Sequence, residues 1–371
     1  MPARFSKDPC GERLRELVAA EVVRRGLLNT AYLRLHAKAG VILLWAFVSY
    51  WMLVVATPWW WPVCLLSFVV AVAGVAFNIM HDGNHQAFSR HRRTNRLGGL
   101  TLELLGGSSL FWVDDHNRKH HTAPNVDPFD GDINYGVLAR VAPSQKWRTW
   151  YRFQQYYMWL LYALIPERWQ FYLDFQKLRD RVRANGSSPP LGRRQCCCLF
   201  AGKLVFLGWA VVLPALLHPL WCVVVVYLVG AGLGGLILAT VLQWAHCVEG
   251  VTFLSVQHGQ ERLPGTWLRI QVEATRNVHL PRWLSWYVGG LDHQIEHHLF
   301  PRYPHTIYRH LVRTIEEFCR ANGIDYGRHQ SLGTAIRAHY RWLSQMGKPP
   351  VQAQVEHEPT PADASPRPLV G

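Results

Sequence analysis

Four apolar runs, almost free of charged residues, constrain the fold of this chain more than any other feature. They cover about residues 40–57, 59–79, 199–217 and 220–245. Each approaches the roughly 20 residues that a helix needs to cross a bilayer. The sequence therefore predicts an all-α integral membrane protein with four transmembrane helices.

Short links between the runs predict the topology. The first two runs are joined by TPWWWP at residues 57–62, a tight turn with an aromatic belt, and the last two by His218-Pro219. A cluster of arginines directly follows the second run, as is typical of cytoplasmic loops; its members are Arg90, Arg92, Arg93 and Arg96. We therefore expect both termini and the segments between the two hairpins to face the cytoplasm, in a bacterial inner membrane rather than the endoplasmic reticulum.

Composition agrees with a membrane protein. Only 17% of the 371 residues are charged, and Lys and Arg exceed Asp and Glu by 39 to 25. The basic surplus flanks the apolar runs, whereas a nucleic-acid-binding protein would carry it as stripes on a soluble fold. No nucleic-acid partner is expected.

The rest of the chain divides into three parts. Residues 1–36 are predicted to be a cytosolic amphipathic segment, whose helical pattern over 11–36 fits either a helix on the membrane surface or a soluble cap helix. Residues 37–345 form the membrane domain. Within it, residues 97–112 are apolar but short and interrupted by Glu103, which predicts an interfacial or re-entrant helix. Residues 346–371 are rich in Pro and poor in apolar residues, which predicts a disordered tail.

Three dense histidine clusters fall outside the apolar runs, in HDGNH at residues 81–85, HNRKHH at 116–121 and DHQIEHH at 292–298. His81 and His85 are four apart, so they share one face of a helix. The adjacent pairs, His120 with His121 and His297 with His298, point about 100° apart on a helix. Such pairs suit two neighbouring metals, one histidine for each.

The number of candidate ligands indicates two metals. Imidazole ligation suits Zn, Cu, Fe or Ni, and a single zinc site needs only three or four ligands. Eight histidines are candidates: His81, His85, His116, His120, His121, His246, His297 and His298. Two imidazole-bound irons at the face of a membrane protein suggest oxygen activation on a lipid-soluble substrate.

Four neutral or weakly basic residues near the third cluster remain open candidates. His293 and Gln294 both have a spacing that reaches His297, and the spacing does not choose between them. Asn277 and also Gln271 lie in the segment before the cluster, where they could bind a metal-bound water or orient a ligand.

The three clusters, read with TAPNVDPFDGDI after the second and GGLDHQIEHHLFP around the third, resemble the histidine boxes of the membrane fatty-acid desaturases. The resemblance extends over about residues 35–320 and includes QWAH at 243–246 and QVEATRN at 271–277. It is greatest to the front-end, linoleoyl-CoA-desaturase-like branch, in which the third box begins with Gln, as in Gln294-x-x-His297-His298.

This resemblance implies four transmembrane helices under a cytosolic helical cap that carries a di-iron centre. It also implies oxygen-dependent insertion of a double bond into an acyl chain held by a lipid or by CoA. The catalytic residues would be His81, His85, His116, His120, His121, His297 and His298. His293 stands where the family usually has an aromatic residue, so either it or Gln294 would contact iron.

The chain contains no HPGG haem motif, so we expect electrons from a separate donor, a ferredoxin or a cytochrome b5, docked on the basic face. Two alternatives remain at this stage. A fatty-acyl or sphingoid hydroxylase would use the same scaffold. A membrane metal transporter or sensor would need ionisable residues along the spans, which are almost bare of them.

Overall fold

The computed structural model describes residues 5–183, 191–256 and 262–350 of the chain. Helices dominate these residues, as the sequence predicts. In the first half they are α1 Pro9–Arg24, α2 Leu28–Val55, α3 Trp61–Val75, α4 His81–Asn84, α5 Arg92–Gly99, α6 Thr101–Leu104, α7 Ser109–Trp112, α8 Gln154–Ala163, α9 Ile165–Arg168 and α10 Asp174–Arg183. In the second half they are α11 Arg193–Leu207, α12 Leu213–Ala215, α13 Leu220–His246, α14 Trp267–Glu273, α15 Arg282–Tyr287, α16 Gln294–Leu299, α17 Tyr308–Ala321 and α18 Leu332–Met346.

Four helical segments among the described residues are long and apolar enough to cross a membrane, which confirms the predicted number. They are Leu28–Val55, Pro58–Asn84, Arg193–Ala215 and Leu220–His246. Large apolar side chains on their outer faces are exposed, among them Phe47, Trp51, Leu204 and Trp221. An apolar band of this extent is typical of a surface that contacts lipid.

Wider helical turns interrupt several helices. Segments with π-type hydrogen bonding occur at Ala76–Met80, Val113–His120, Trp169–Leu173 and Gly208–Val212. The first of these joins α3 to α4, so the second span continues without a break to Asn84. His81 therefore lies one turn beyond the apolar run.

The N-terminal segment differs from the predicted single helix over residues 11–36. Gly26 has φ +56°, and there the chain turns between α1 and α2. The apolar face of α1, which includes Leu14 and Val18, packs on α14 and α17 through Leu268 and Leu311. Of the two predicted alternatives, this packing favours the cap helix.

A helical cap covers the histidine-bearing ends of the spans. One cap cluster joins α1, α14, α16 and α17, and α18 packs on α8 and α13. Two short pairs of parallel β-strands connect distant loops. They are β1 Val126–Asp127 with β2 Leu254–Ser255, and β3 Asn277–Val278 with β4 Arg328–His329. Residues 351–371, most of the predicted tail, lie outside the described residues.

The segment of residues 97–112 forms short broken helices and not a span, as predicted. Its start packs closely on the first histidine cluster, because a Cβ on Gly83 would lie 2.3 Å from the backbone nitrogen of Gly99. Buried Glu103 accepts hydrogen bonds from the backbone and hydroxyl of Ser109. These contacts hold α5, α6 and α7 against the end of the second span.

Candidate metal centre

All eight histidines predicted as ligands are buried at one end of the four spans. One group consists of His81, His85, His116 and His297, and a second of His120, His246 and His298. Within each group, one ring nitrogen of every histidine lies within 4.8 Å of the others. The adjacent residues His297 and His298 thus contribute to different groups, as their predicted divergence on a helix requires.

His121 lies between the two groups. Its ring centroid is 4.5 Å from that of His85 in the first group and 4.3 Å from that of His298 in the second. Neither of its ring nitrogens has a hydrogen-bond partner among the described residues. His121 therefore has two free nitrogens at the boundary between the groups.

The wide helical turn at Val113–His120 explains how one segment supplies both groups. Its hydrogen bonds reach five residues back, as the bond from His121 N to His116 O does at 2.8 Å. A wider turn brings positions four and five residues apart closer to one face than an α-helix does. His116, His120 and His121 can therefore all point towards the centre.

Two glycines allow the third cluster to approach the first. Gly289 and Gly290 have φ +66° and +71°, a region that residues with a Cβ rarely adopt. A Cβ on Gly289 would lie 2.4 Å from the carbonyl oxygen of Phe77, at the wide turn before His81. The Gly-Gly turn thus sets α16 directly against the end of the second span.

Hydrogen bonds fix the protonation of two rings in the second group. Gln271 Nε2 donates to the carbonyl oxygens of His121 and Thr122, so Gln271 Oε1 must accept from His298 Nδ1, 3.1 Å away. His120 Nδ1 donates to Asp130 Oδ2 at 3.0 Å. In the neutral form of each ring, Nε2 then carries the lone pair.

Several other ring nitrogens have no hydrogen-bond partner in the described part of the chain although they are buried. They include Nε2 of His81, His85, His116 and His297, and Nδ1 of His246. Buried polar atoms normally have partners, because an unpaired one costs about 1–3 kcal/mol. Two adjacent sets of unpaired imidazole nitrogens fit two transition-metal ions, because imidazole ligands suit these ions better than Ca²⁺ or Mg²⁺.

Electrostatics keep most of these rings neutral. Burial, followed by the neighbouring histidines, lowers the pKa of His121, His297 and His298 well below the usual value. Burial also lowers the pKa of His116 to about 4, against the opposing effect of Asp132. Burial lowers the pKa of His120 too, but the charge of Asp130 and its hydrogen bond overcome this and raise it to about 9. Neutral imidazole is the form that binds metal.

The structure gives Gln294 and His293 different positions. Gln294 is buried and lines the cavity described below together with His81 and His297. His293 is partly exposed, and its nearest charged group is the neighbouring Asp292, at 3.6 Å from Nε2. Of the two candidates, only Gln294 faces the histidine groups.

Asn277 lies beside the start of the helix that carries the third cluster. Its amide nitrogen donates to Glu296 Oε2 and to the Tyr326 hydroxyl, and its oxygen accepts from the backbone nitrogen of Ile295. These three bonds anchor the start of α16, which carries His297 and His298. Gln271, by contrast, orients His298, which is one of the two roles predicted for it.

Sequence reasoning missed Asp130 and Asp132 as site residues. Asp130 is 1% exposed and accepts from the backbone of Asn125 as well as from His120. Asp132 Oδ2 lies 3.5 Å from His116 Nδ1. Carboxylates 10 and 16 residues after the histidines that they contact were the available signal. Nothing local distinguishes them from Asp114 and Asp115, which pair with Arg118 and Lys119.

An apolar cavity of about 620 Å³ extends from the histidine groups between the spans. Its inner end is formed by Gln294 and several of the histidines, and its outer end by Trp61, Pro214 and His218. These ends correspond to the two ends of the second and fourth spans, some 20 residues or about 30 Å of helix apart. Trp112, which stacks on His116 at 4.2 Å, lies in the wall.

Comparison with known proteins agrees with this geometry. The family model described as fatty acid desaturase matches residues 58–329. The chain is 33% identical to the sn-1 linoleoyl-lipid 6-desaturase of Synechocystis sp., over 90% of the chain and 94% of that protein. It is 32% identical to the protein of the same name from Arthrospira platensis, over 87% and 88%. An acyl-lipid (8-3)-desaturase of Physcomitrium patens is 32% identical over 76% of the chain and 59% of its own length.

Proposed function

The chain belongs to the fatty acid desaturase family, and on that basis we propose that it inserts a double bond at carbon 6 of a linoleoyl chain carried by a membrane lipid, with two irons and O₂. The observation that carries the proposal is an apolar cavity that ends at two adjacent groups of unpaired histidine nitrogens. The position of the double bond and the lipid that carries the acyl chain are taken from the names of the two cyanobacterial relatives.

In this proposal one iron is held by His81, His85, His116 and His297, and the other by His120, His246 and His298. When bound, the two irons supply activation of O₂ and the oxidising power to remove hydrogen from an unactivated methylene. His121 lies between the two groups, and Gln294 faces the same space from α16. The protein supplies the ligands and places one pair of carbons against them.

The cavity wall excludes water and aligns the acyl chain. Side chains such as Leu65, Phe68, Val72 and Leu238 line it between the spans. A chain held along such walls presents the same carbons to the centre at each turnover, which is the positional advantage that enzymes gain from binding. Dry walls also limit side reactions at the oxidising site.

Polar groups near the histidine end of the cavity support a reaction close to the carboxyl end of the acyl chain. At carbon 6 the ester lies only a few bonds from the reacting carbons, so the cavity must accept a polar group near the metals. Asn134, Tyr135 and Arg168 line the cavity together with His116 and His120. Arg168 makes no ion pair with another described residue, whereas Lys177 in the same wall pairs with Asp115.

We place the histidine end and both termini in the cytoplasm. Exposed arginines, including Arg90, Arg92 and Arg93, surround this end, while the links at the opposite end of the spans carry no charged residue. This asymmetry matches the distribution of basic residues in membrane proteins. It also offers a basic surface for an acidic electron donor such as a ferredoxin or a cytochrome b5.

The alternatives considered from the sequence are less well supported. The curated relatives described above are named desaturases, which does not favour a hydroxylase. A transporter needs an ionisable path along the spans, and the histidines instead gather at one end. Product mass separates the two oxidations, since desaturation removes two hydrogens and hydroxylation adds one oxygen.

Expression in a host whose membranes contain linoleoyl lipids, together with a ferredoxin and its reductase, tests the proposal. We expect a new triunsaturated fatty acid with a double bond at carbon 6, located by mass spectrometry of its derivatives. His297→Ala should abolish the product, while His91→Ala, at an exposed histidine, should not. An unchanged lipid profile from an iron-loaded protein with a working donor would contradict the proposal.

A further inference from the structure

A buried series of polar side chains links the first span to the first histidine group through two hydrogen bonds and one longer contact. It contains Lys38 on α2, His305 in the turn His305–Ile307, and Asp82 on α4, each of them 6% exposed or less. Lys38 Nζ lies 2.9 Å from His305 Nε2, and His305 Nδ1 lies 2.8 Å from Asp82 Oδ2. The other oxygen of Asp82, Oδ1, lies 3.5 Å from His81 Nδ1.

The donor groups present determine the direction of both hydrogen bonds that link Lys38, His305 and Asp82. A lysine ammonium has only donors, so His305 Nε2 must accept from Lys38. The proton of the neutral ring is then on Nδ1, which donates to the carboxylate of Asp82. Lys38 thereby selects the tautomer of His305, and His305 holds the carboxylate in one orientation.

The surroundings of Lys38 indicate that this buried lysine has a function. It lies on α2 just before the apolar run that begins at residue 40, and it has no carboxylate in ion-pair contact among the described residues. Besides His305, its ammonium contacts the face of Trp286, at 5.0 Å from the ring centroid. A buried charge without a carboxylate partner is costly, so its retention favours a role at a site.

We propose that Lys38 and His305 are positioning residues for the first histidine group, acting through Asp82 on His81. The Asp82 carboxylate lies 3.5 Å from His81 Nδ1, and His81 Nε2 is buried without a partner among the described residues. A carboxylate behind a metal-binding histidine typically fixes the ring and raises metal affinity. This inference rests on the proposed function only in requiring that the first group binds a metal.

The chain of contacts also couples three segments that are remote in sequence. His305 follows the third histidine cluster, Asp82 belongs to the first, and Lys38 comes from the first span. The turn at Gly290 leaves room for His305, because a Cβ there would lie 2.9 Å from the His305 Cβ. The same glycine pair that brings α16 to the second span thus also places His305 beside Asp82.

Lys38→Met tests the proposal, since methionine keeps an unbranched apolar stem and removes the ammonium. Purified protein would be loaded with Fe²⁺, and iron would be removed stepwise with a chelator. We expect one of two irons to be lost at roughly 10- to 100-fold lower chelator concentration than in wild type. Mössbauer spectra of the loaded protein should change for one iron population and stay constant for the other.

Two further variants separate positioning from general damage. Lys38→Gln retains a donor for His305 and should restore most of the lost affinity. Lys203→Met is the matched control, because Lys203 is also a buried lysine on a helix that spans the membrane, bonded to Asp174 at 2.7 Å and to two backbone carbonyls. It should lower thermal stability while both irons keep their wild-type affinity and spectra.

Three outcomes would overturn the proposal. They are two irons of unchanged affinity in Lys38→Met, equal weakening of both irons, or the same selective loss in Lys203→Met. If Lys38→Met does not fold, selective loss in His305→Gln, measured in the same way, replaces it and decides the question. A wild-type protein that binds two irons without desaturating lipid would leave this inference intact, whereas one that binds no iron would end both proposals.

Discussion

The Nε2 atoms of His246 and His298 lie 3.2 Å apart, although 52 positions separate these residues in the chain. The hydrogen bond from His298 Nδ1 to Gln271 leaves a lone pair on His298 Nε2. Two nitrogens bound to one tetrahedral ion at 2.0–2.1 Å are about 3.3 Å apart. The pair therefore already has the spacing of two ligands that share a cation.

Metal removal should destabilise the protein, because the buried imidazoles would lose their common partner. A metal present at 100 times its dissociation constant stabilises the folded state by about 2.7 kcal/mol per site. We expect a chelator to lower the unfolding temperature in detergent by several degrees, measured by scanning fluorimetry. Added Fe²⁺ should reverse the shift, and added Mg²⁺ should not, since Mg²⁺ prefers oxygen ligands. Equal melting temperatures with and without metal would contradict this prediction.

Gln294→Ala should lower turnover of the lipid substrate at least tenfold, because Gln294 faces the cavity beside His297. His293→Ala should keep activity within about twofold, since His293 lies outside both histidine groups. Product formation per iron-loaded protein is the measurement. The reverse ranking would show that the side chain of His293 reaches the centre in the working enzyme.

Asp130→Asn should weaken metal binding in the second histidine group. The charge of Asp130 and its hydrogen bond to His120 Nδ1 hold that ring in place, and loss of such a partner typically costs 10- to 100-fold in affinity. Chelator competition measures the effect. Asp114→Asn is the control, because Asp114 pairs with Arg118 on the surface and not with a histidine of the site. Similar affinities in both variants would argue against the assigned role.

Gly234→Leu should block the acyl cavity without changing the iron content of the protein. Gly234 lines the cavity, and its added Cβ would meet nothing closer than 3.9 Å, so the leucine side chain would extend into the open space. Gly232→Leu is the matched control two residues away, where a Cβ has nothing closer than 3.8 Å and the residue does not line the cavity. We expect at least tenfold less product from the first variant only, with full iron content in both.

Trp61→Ala should let the enzyme accept longer acyl chains. Trp61 packs edge-on against His218, at 5.2 Å between ring centroids, and the two close the outer end of the cavity. Removal of the indole leaves space for several more carbons beyond the reacting pair. Competition between lipids of different chain length measures the shift, and Trp59→Ala, at a residue 91% exposed, is the control. An unchanged preference would place the end of the substrate elsewhere.

The sequence alone predicted the four spans, the absence of a span over residues 97–112 and the gathering of three histidine clusters at one end. These features depend on local properties. The length of an apolar run decides whether it spans a bilayer, and residue identity decides which side chains bind metal. The divergence of His297 and His298 towards different groups was predictable for the same reason, since it follows from helix geometry alone.

Other features depend on contacts that spacing does not encode. Asn277 was a candidate to bind a metal-bound water or to orient a ligand, and only the fold reveals its hydrogen bonds to Glu296 and Tyr326 at the start of α16. Spacing does not distinguish Gln294 from His293 as a candidate metal ligand. Only the packing of α16 separates them, because it directs Gln294 towards the histidine groups. The predicted helix over residues 11–36 is divided because the apolar face of α1 must meet α14 and α17 while α2 enters the membrane.

What the sequence by itself determined is thus an all-helical membrane protein with enough imidazoles for two metals. What only the tertiary structure decided is how each imidazole is held: the wide turn that aims His116, His120 and His121 together, the carboxylate of Asp130 behind His120, and the Lys38–His305–Asp82 chain behind His81. The physical reason is that a hydrogen bond needs both partners within about 3 Å. Residues hundreds of positions apart reach that distance only when the whole fold has assembled.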